Sequence, residues 1–348
     1  MKIGIFIGRF QPFHDGHRTV IEQMIKETDK QLVIVGSVGR PRTPLNPFTY
    51  EERATMIKSV FEKVDISFAY DYIYQDNAWA ANIQAMIYNY VNLIGGDSSS
   101  TIVLYGHHKD ETSFYLDMFP AFKYKEVASV LTINAASIRD HLFTQPFDQN
   151  SSAKNKELFS TFYIEPSVAA FLCSFVHTKE YAQLKSEYLY IKQYKEDSAF
   201  KSLPYAPIFV TVDALVECGA NVLLVQRGGI HGHGLLAMPG GFLNANEKIT
   251  TGIFRELKEE TKINVPPAII RNSLKHIEVF DDPRRSSRGR TITHCGLIKL
   301  EEKKLPEVVG SDDAKLALWM PISDVEKNKH LFFEDHYFII QKMLKKLN

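Results

Sequence analysis

Cysteine is scarce in this chain: Cys173, Cys218 and Cys295 are the three in 348 residues, far apart and with no CxxC pair. That pattern argues against a disulfide framework and a cysteine-held zinc site, and it suits a reducing, cytoplasmic setting. Net charge is also missing, since 41 Lys and Arg balance 41 Asp and Glu. A nucleic-acid binder usually carries a broad positive field, which a neutral chain lacks. Anionic ligands must therefore be held by local clusters. No apolar run approaches the roughly 20 residues of a membrane span. The stretch from Met1 to Phe10 is apolar but short, Arg9 interrupts it, and it has no small-residue cleavage site. It is expected to be a strand, not a signal peptide. Repeats and low-complexity tracts are absent as well.

What is present is enough apolar material, 45% of the chain, for two cores, at about 150 residues per domain. Residues 2–8 (KIGIFIG) and 31–36 (QLVIVG) are continuous apolar strands separated by a helical pattern over 18–27. Strands alternating with helices imply a parallel sheet covered on both faces. A further strand is expected over 101–105, another apolar stretch runs over 127–133, and an exposed loop over 149–161 and helix over 165–195 are expected. The two prolines and polar residues of 195–207 suggest a boundary, giving expected domains of 1–195 and 205–348. Beyond it IFVTVDALV, NVLLVQR and ITHCGLIKL read as strands, and two long helices are evident, near 247–262 and 334–346.

The first chemical constellation is GRFQPFHDGH, Gly8 to His17. Gly8 ends a buried strand where a side chain would obstruct close backbone approach. His14 and His17 flank Asp15-Gly16 at a helix start, whose free amides favour anions. Arg9 adds a planar donor fork for phosphate oxygens. Such a set suits adenylyl transfer, in which a phosphate oxygen attacks the α-phosphorus of ATP and pyrophosphate leaves. The protein need only orient the groups and neutralise developing charge.

HxGH after a strand resembles the nucleotidyltransferase superfamily, and the longer string is similar to nicotinamide mononucleotide (NMN) adenylyltransferases of the archaeal type. Other segments fit: Asn46-Pro47-Phe48-Thr49 with Glu52-Arg53, Asp76-Asn77-Ala78-Trp79, Tyr105-Gly106-His107-His108-Lys109-Asp110, and Asn134-Ala135-Ala136-Ser137-Ile138-Arg139. The resemblance covers roughly residues 1–180. It implies His14, His17 and Arg139 as catalytic groups. It also implies an ATP and phosphate site at Gly8, Arg9, Phe10, Gly16, Gly106, Ser137 and Ile138, and an NMN site at Asn77 and Trp79, with Trp79 stacking on the nicotinamide ring. The chain departs from the family in lacking a paired Ser/Thr before the last helix; Ser137 could cap that helix. Core packing is the competing role for Trp79.

The second constellation is GGFLNANEKITTGIFRELKEETKI. From Gly241 the spacing to Glu247 and then to Arg255-Glu256-Leu257-Lys258-Glu259-Glu260 is that of the Nudix box. Glu256, Glu259 and Glu260 fall on one helix face, where a divalent cation compensates their repulsion. Hard oxygen ligands suit Mg²⁺, with Mn²⁺ as the alternative. Gly240 and Gly241 permit a tight turn that leaves the Gly240 carbonyl at the metal, and Arg255 lies one turn before Glu259. Lys262 stands where the box has glycine, which implies a changed helix C-cap. The catalytic base stays open between Glu259 and an acidic residue of the 307–313 loop. Asp281-Asp282-Pro283-Arg284 with Gly289-Arg290 resembles the DxPRGR stretch of ADP-ribose-hydrolysing Nudix proteins, interrupted by Arg285-Ser286-Ser287-Arg288. Ser311-Asp312-Asp313-Ala314 with Trp319-Met320-Pro321 resembles their GDDA…W-P segment. Asp282, Arg284 and Arg290 are the implied ADP-ribose contacts.

Together these imply a doubly wound parallel-sheet nucleotidyltransferase domain followed by an α/β/α Nudix sandwich with a mixed sheet. The substrates expected are ATP, NMN and ADP-ribose, with neither nucleic acid nor membrane as partner. The sequence leaves the oligomeric state open, a homo-oligomer included. The competing functions are adenylyl transfer to another phosphate acceptor, such as pantetheine phosphate or a polyol phosphate, and a ligand-sensing regulator with an inactive Nudix domain. Intact Glu256, Glu259 and Glu260 weigh against the second.

Overall fold

A computed structural model of the chain describes residues 1–107, 118–128, 134–147, 159, 162–196 and 203–345. The apolar run of β1 (Lys2–Gly8) is flanked by parallel neighbours on both sides. Ile3, Ile5 and Ile7 pack with Ile83, Ile87 and Val91 of a helix on one face, while Met24 of another helix lies against Gly4 on the opposite face. Burial on both faces is why β1 reads as continuous apolar sequence without alternation. The sheet has the order β3-β2-β1-β4-β5, all parallel, with β2 (Lys30–Val38), β3 (Asp65–Tyr70), β4 (Thr101–Gly106) and β5 (Lys123–Glu126). The helices of this part are α1 (Asp15–Glu27), α2 (Tyr50–Lys58), α3 (Asp76–Leu93), α4 (Ala135–Thr144), α5 (Pro166–Phe175) and α6 (Lys179–Lys195). Strand order reverses between β1 and β4, so the crevice at their carboxyl ends is where a doubly wound sheet binds ligands.

The second sheet is mixed. Its order is β10-β11-β6-β7-β12, from β6 (Phe209–Cys218), β7 (Asn221–Arg227), β10 (Leu274–Phe280), β11 (Thr291–Leu300) and β12 (Ala314–Pro321). The short strands β8 (Leu236–Ala237) and β9 (Gly240–Phe242) pair with β7 and β6. β6 and β11 run parallel along their full lengths; the other neighbours are antiparallel. α7 (Ile249–Thr261) lays Ile253 and Leu257 on Val212, Ala214 and Val216 of β6. The remaining helices are α8 (Pro267–Asn272), α9 (Ile322–Val325) and α10 (His336–Lys345). The chain divides into two compact units, Met1–Lys185 and Ser186–Asn348, with the division inside α6.

Several elements differ from the sequence expectation. The edge strand β5 lies at Lys123–Glu126, four exposed residues without apolar alternation, ahead of the apolar stretch 127–133. Residues 129–133 and most of 149–161 lie outside the described residues. The helical region 165–195 is two helices, because Thr178 ends one and caps the next: its hydroxyl donates to the Phe175 carbonyl and accepts the Tyr181 N–H at 3.1 Å. Asn134, not Ser137, caps α4, accepting the Ser137 N–H at 2.9 Å.

The changed C-cap of α7 is visible directly. Lys262 adopts φ 45°, ψ 28°, the left-handed conformation that glycine takes without penalty. Lys262→Gly should stabilise the C-terminal unit by about 0.5–1 kcal/mol, the relief of a left-handed non-glycine residue less the entropy of glycine. Calorimetry should show its melting temperature rise by roughly 1–4 °C; a fall would refute the assignment.

Candidate active sites

In the N-terminal unit the histidine loop leaves β1 at Gly8, where a Cβ would sit 2.9 Å from the Phe10 ring. Phe10 is buried and packs on His17, ring centroids 4.8 Å apart, so its side chain sets the imidazole. The histidines brace each other: His14 Nδ1 accepts the Gly16 N–H at 3.1 Å, and His17 Nδ1 accepts the His14 N–H at 3.3 Å. With both Nδ1 atoms accepting, each neutral ring carries its proton on Nε2. The free helix amides expected here are engaged. Asp15 donates to the Tyr163 carbonyl, Gly16 to His14 Nδ1, and His17 and Arg18 to the His14 carbonyl. The donor power of this helix start is therefore delivered through the two imidazoles.

Three braces hold the loop. Gln11, buried, exchanges two 2.9 Å hydrogen bonds with the Phe48 backbone. Arg53, buried at the start of α2, donates to the carbonyls of Arg9 (2.8 Å), Gly36 (2.6 Å) and Thr49 (3.0 Å), and burial lowers its pKa to about 10. Arg139 donates to the Gln11 carbonyl at 2.7 Å, which ties α4 to the histidine loop. Arg53 and Thr49–Glu52, a reciprocal capping box, explain the Asn-Pro-Phe-Thr stretch as scaffold.

The other expected residues lie on several elements. Arg9 is exposed at the end of β1. Ser137 is exposed in the first turn of α4 and its hydroxyl donates to the Asn134 carbonyl, while the Ile138 side chain is fully buried. Gly106 ends β4 and its carbonyl accepts the Val127 N–H at 2.9 Å. His107 Nε2 lies 3.4 Å from the Gly16 carbonyl, so the β4 exit meets the histidine helix. His108, Lys109 and Asp110 lie outside the described residues. Asn77 is exposed on α3, and Trp79 packs beside Phe119 at 5.9 Å while staying partly exposed.

In the C-terminal unit Arg255 is the hub. It bonds both oxygens of Glu247 at 2.9 Å, Glu256 and Glu259 at 2.8 Å each, and the Phe242 carbonyl at 3.2 Å. These bonds, Glu247 first, raise its pKa. Glu256 and Glu260 are buried at 8% and 7% exposure, whereas the Glu259 side chain is 44% exposed. Burial raises both buried carboxyls, and Glu260 reaches about 8 despite accepting the Gly240 N–H at 3.0 Å. Gly241 has no room for a side chain, since a Cβ would lie 2.6 Å from Glu256 Oε1. Asp213 on β6, missed in the sequence, is a further buried carboxylate that pushes Glu256 and Glu260 upward.

No three His, Cys, Asp or Glu side chains among the described residues converge to hold an ion. Glu256 and Glu259 instead turn to Arg255, and Gly240 offers Glu260 its N–H. The donor set still fits a hard divalent cation, because two buried, mutually repelling carboxyls have oxygen as their only donor atom.

The implied ADP-ribose contacts are mostly engaged locally. Asp282 Oδ1 accepts the Arg284 N–H at 2.7 Å, the Arg284 side chain is 60% exposed, and Arg290 donates to the Asp281 carbonyl. The interrupting Arg285-Ser286-Ser287-Arg288 is not a plain basic loop: Arg285 forms a buried bidentate pair with Asp335 at 3.0 and 3.1 Å. The 307–313 loop is tied to α7, Ser311 donating to the Glu260 carbonyl at 3.1 Å.

Comparison with known proteins matches residues 5–154 to the cytidylyltransferase-like family and 207–342 to the NUDIX domain. A nicotinamide/nicotinic acid mononucleotide adenylyltransferase of Acinetobacter baylyi is 30% identical over 189 residues, 53% of this chain and 92% of that protein. A nicotinamide-nucleotide adenylyltransferase of Halorubrum lacusprofundi is 36% identical over 86 residues, 24% of this chain. That match spans about half of the archaeal protein, 49%. The crystal structure of a bifunctional NMN adenylyltransferase/ADP ribose pyrophosphatase from Francisella tularensis superposes with a TM-score of 0.89 at 34% identity, covering 100% of this chain and 99% of that one. The same protein complexed with AMP and a manganese ion gives 0.88 at 33% identity. No helix among the described residues is long and apolar enough to cross a membrane.

A carboxyl whose pKa is raised by folding keeps a proton that the unfolded chain gives up, so stability falls as pH climbs between the two values. For Glu260 that window runs from 4.5 to about 8, and Glu187, raised to about 7 by burial, acts in the same direction. Metal-free protein should lose melting temperature in the C-terminal unit across this window. Mg²⁺ or Mn²⁺ should restore it at the alkaline end, and Glu260→Gln should flatten part of the fall. A metal-free melting temperature that rises with pH would contradict this.

Proposed function

We propose, since the chain belongs to the family of bifunctional NMN adenylyltransferase/ADP-ribose pyrophosphatases, that it makes NAD at one site and hydrolyses ADP-ribose at the other. The supporting observation is the superposition on the Francisella protein over the whole chain. We assign the first reaction to the unit Met1–Lys185 and the second to Ser186–Asn348. The three buried cysteines suit a cytoplasmic enzyme.

In the first reaction the NMN phosphate attacks the α-phosphorus of ATP, and pyrophosphate leaves. His14 and His17 donate from Nε2 to phosphate oxygens, and Arg139, anchored on the Gln11 carbonyl, adds positive charge where the transition state gathers negative charge. Gly8, Phe10 and Gly106 shape the floor of the site, Arg9 and Ser137 line its rim, and Asn77 with Trp79 receives the nicotinamide. In the second reaction water attacks the pyrophosphate of ADP-ribose, giving AMP and ribose 5-phosphate. Glu256, Glu259 and Glu260, with the Gly240 carbonyl, would hold Mg²⁺, which supplies charge neutralisation and a more acidic water. Arg255 orients Glu256 and Glu259, and α7 keeps Glu260 against the Gly240 turn. Asp282, Arg284 and Arg290 stand at the sugar end.

Product analysis of the full-length protein tests this reading, with NMN plus ATP in one assay and ADP-ribose in the other. His17→Ala should lower kcat for NAD formation by about 10²–10³, the usual effect of removing one charge-stabilising donor, and leave ADP-ribose hydrolysis intact. Glu260→Gln should do the reverse. Parallel loss of both activities in folded Glu260→Gln protein would contradict separate sites. NAD or a nucleoside triphosphate hydrolysed as efficiently as ADP-ribose would overturn the substrate assignment.

A further inference from the structure

The segment that interrupts the DxPRGR resemblance is the best anchored part of its loop. Arg285 is locked on Asp335, with side chains 3% and 1% exposed. Ser287 donates its N–H to Glu334 at 3.1 Å, and its hydroxyl meets His231 Nε2 at 2.8 Å. With Arg285 and Ser287 held, Arg288 is presented at a defined place: its guanidinium lies over the Phe242 ring, 5.0 Å from the centroid. Phe242 directly follows the Gly240-Gly241 turn, and its carbonyl is bound by Arg255. Arg288 is thus two contacts away from the carboxylate helix.

Arg288 Nε is buried and has no hydrogen-bond partner among the described residues. A buried charged donor without an acceptor is costly. A second guanidinium, Arg227, lies 4.1 Å over Phe333. Burial first, and then Arg288, lower the Arg227 pKa, while Glu260 acts on it in the opposite direction. Burial and the same two cations hold His231 neutral, at about 3. The two guanidiniums act on one another and on the buried Glu334 carboxylate beside them, next to a carboxylate helix suited to a metal, and the partnerless Arg288 Nε leaves a donor there for a phosphate oxygen. Arg284, by contrast, is largely in solvent and paired with Asp282.

We propose that Arg288, shelved on Phe242, grips a phosphate oxygen of the diphosphate substrate in the C-terminal site. This rests on the pyrophosphatase reading above and assigns to the interrupting segment a contact that the family resemblance placed on Arg284 and Arg290. Phe242 is a positioning residue, acting through the guanidinium that lies on it.

The test is steady-state hydrolysis of ADP-ribose by the full-length protein, with calorimetric binding of AMP as a second readout. A hydrogen bond to a charged group contributes about 1.5–3 kcal/mol, or roughly 10–150-fold. Arg288→Ala should raise KM and weaken AMP binding by that factor with kcat little changed. Arg288→Lys should recover part of the loss, as a point charge without the fork, and serves as the folded comparison if the alanine variant misfolds. Phe242→Ala should weaken binding alone but add nothing to Arg288→Ala. Unchanged KM and AMP affinity in both Arg288 variants would overturn the proposal, as would additive losses in the double variant for the shelving role. Wild-type protein that binds AMP but leaves ADP-ribose intact would sink the pyrophosphatase reading alone, with AMP affinity still judging Arg288.

Discussion

Desolvated charge is the constraint on which both units depend. A chain with equal numbers of acidic and basic residues has no general field to gather phosphates. It must place a few charges where water is excluded and their effect is large. The N-terminal unit does this with the buried Arg139 guanidinium, beside two neutral imidazoles whose Nδ1 atoms are spent on backbone N–H groups, so that donor capacity resides on Nε2. The C-terminal unit buries two carboxyls one helical turn apart, a state that burial itself penalises by raising both toward neutrality.

Arginine carries much of the scaffolding. Arg53 and Arg139 collect backbone carbonyls around the histidine loop, Arg255 collects three glutamates and the Phe242 carbonyl, and Arg285 locks Asp335. A planar fork with five donors satisfies several acceptors at fixed angles, which lysine cannot do. In each unit this fixes a loop that joins a strand end to a helix start, the place to which we assign the reacting groups. Positioning of this kind is what phosphoryl chemistry asks of a protein, since little covalent participation is needed.

The parts legible in the sequence were those with local spacing. Periodicity and the HxGH and Nudix spacings are set within a few turns of chain, and the corresponding elements β1–α1 and β9–α7 stand where expected. His231, Arg288 and Glu334 come from three separate connecting segments, and Asp213 meets Glu256 and Glu260 from β6; such juxtapositions are a matter of tertiary register that no short window contains. Lys123–Glu126 was not legible because an exposed edge strand lacks apolar alternation. The helix amides at Asp15 and Gly16 were expected to be open because a cap formed by a histidine ring is not a common residue pattern. Asn134 and Ser137 are both capping residue types, and only the point where the backbone turns helical decides between them.

The central claim, that the buried carboxyls of α7 are arranged for a divalent cation, is tested most directly by the protons displaced when the ion binds. Full-length protein can be titrated calorimetrically with Mn²⁺ in buffers of differing ionisation enthalpy. Proton release on binding near neutral pH is expected, fading above the Glu260 value of about 8 and reduced in Glu260→Gln. Tight binding at neutral pH with no proton released, or with a release unaffected by Glu260→Gln, would contradict the account.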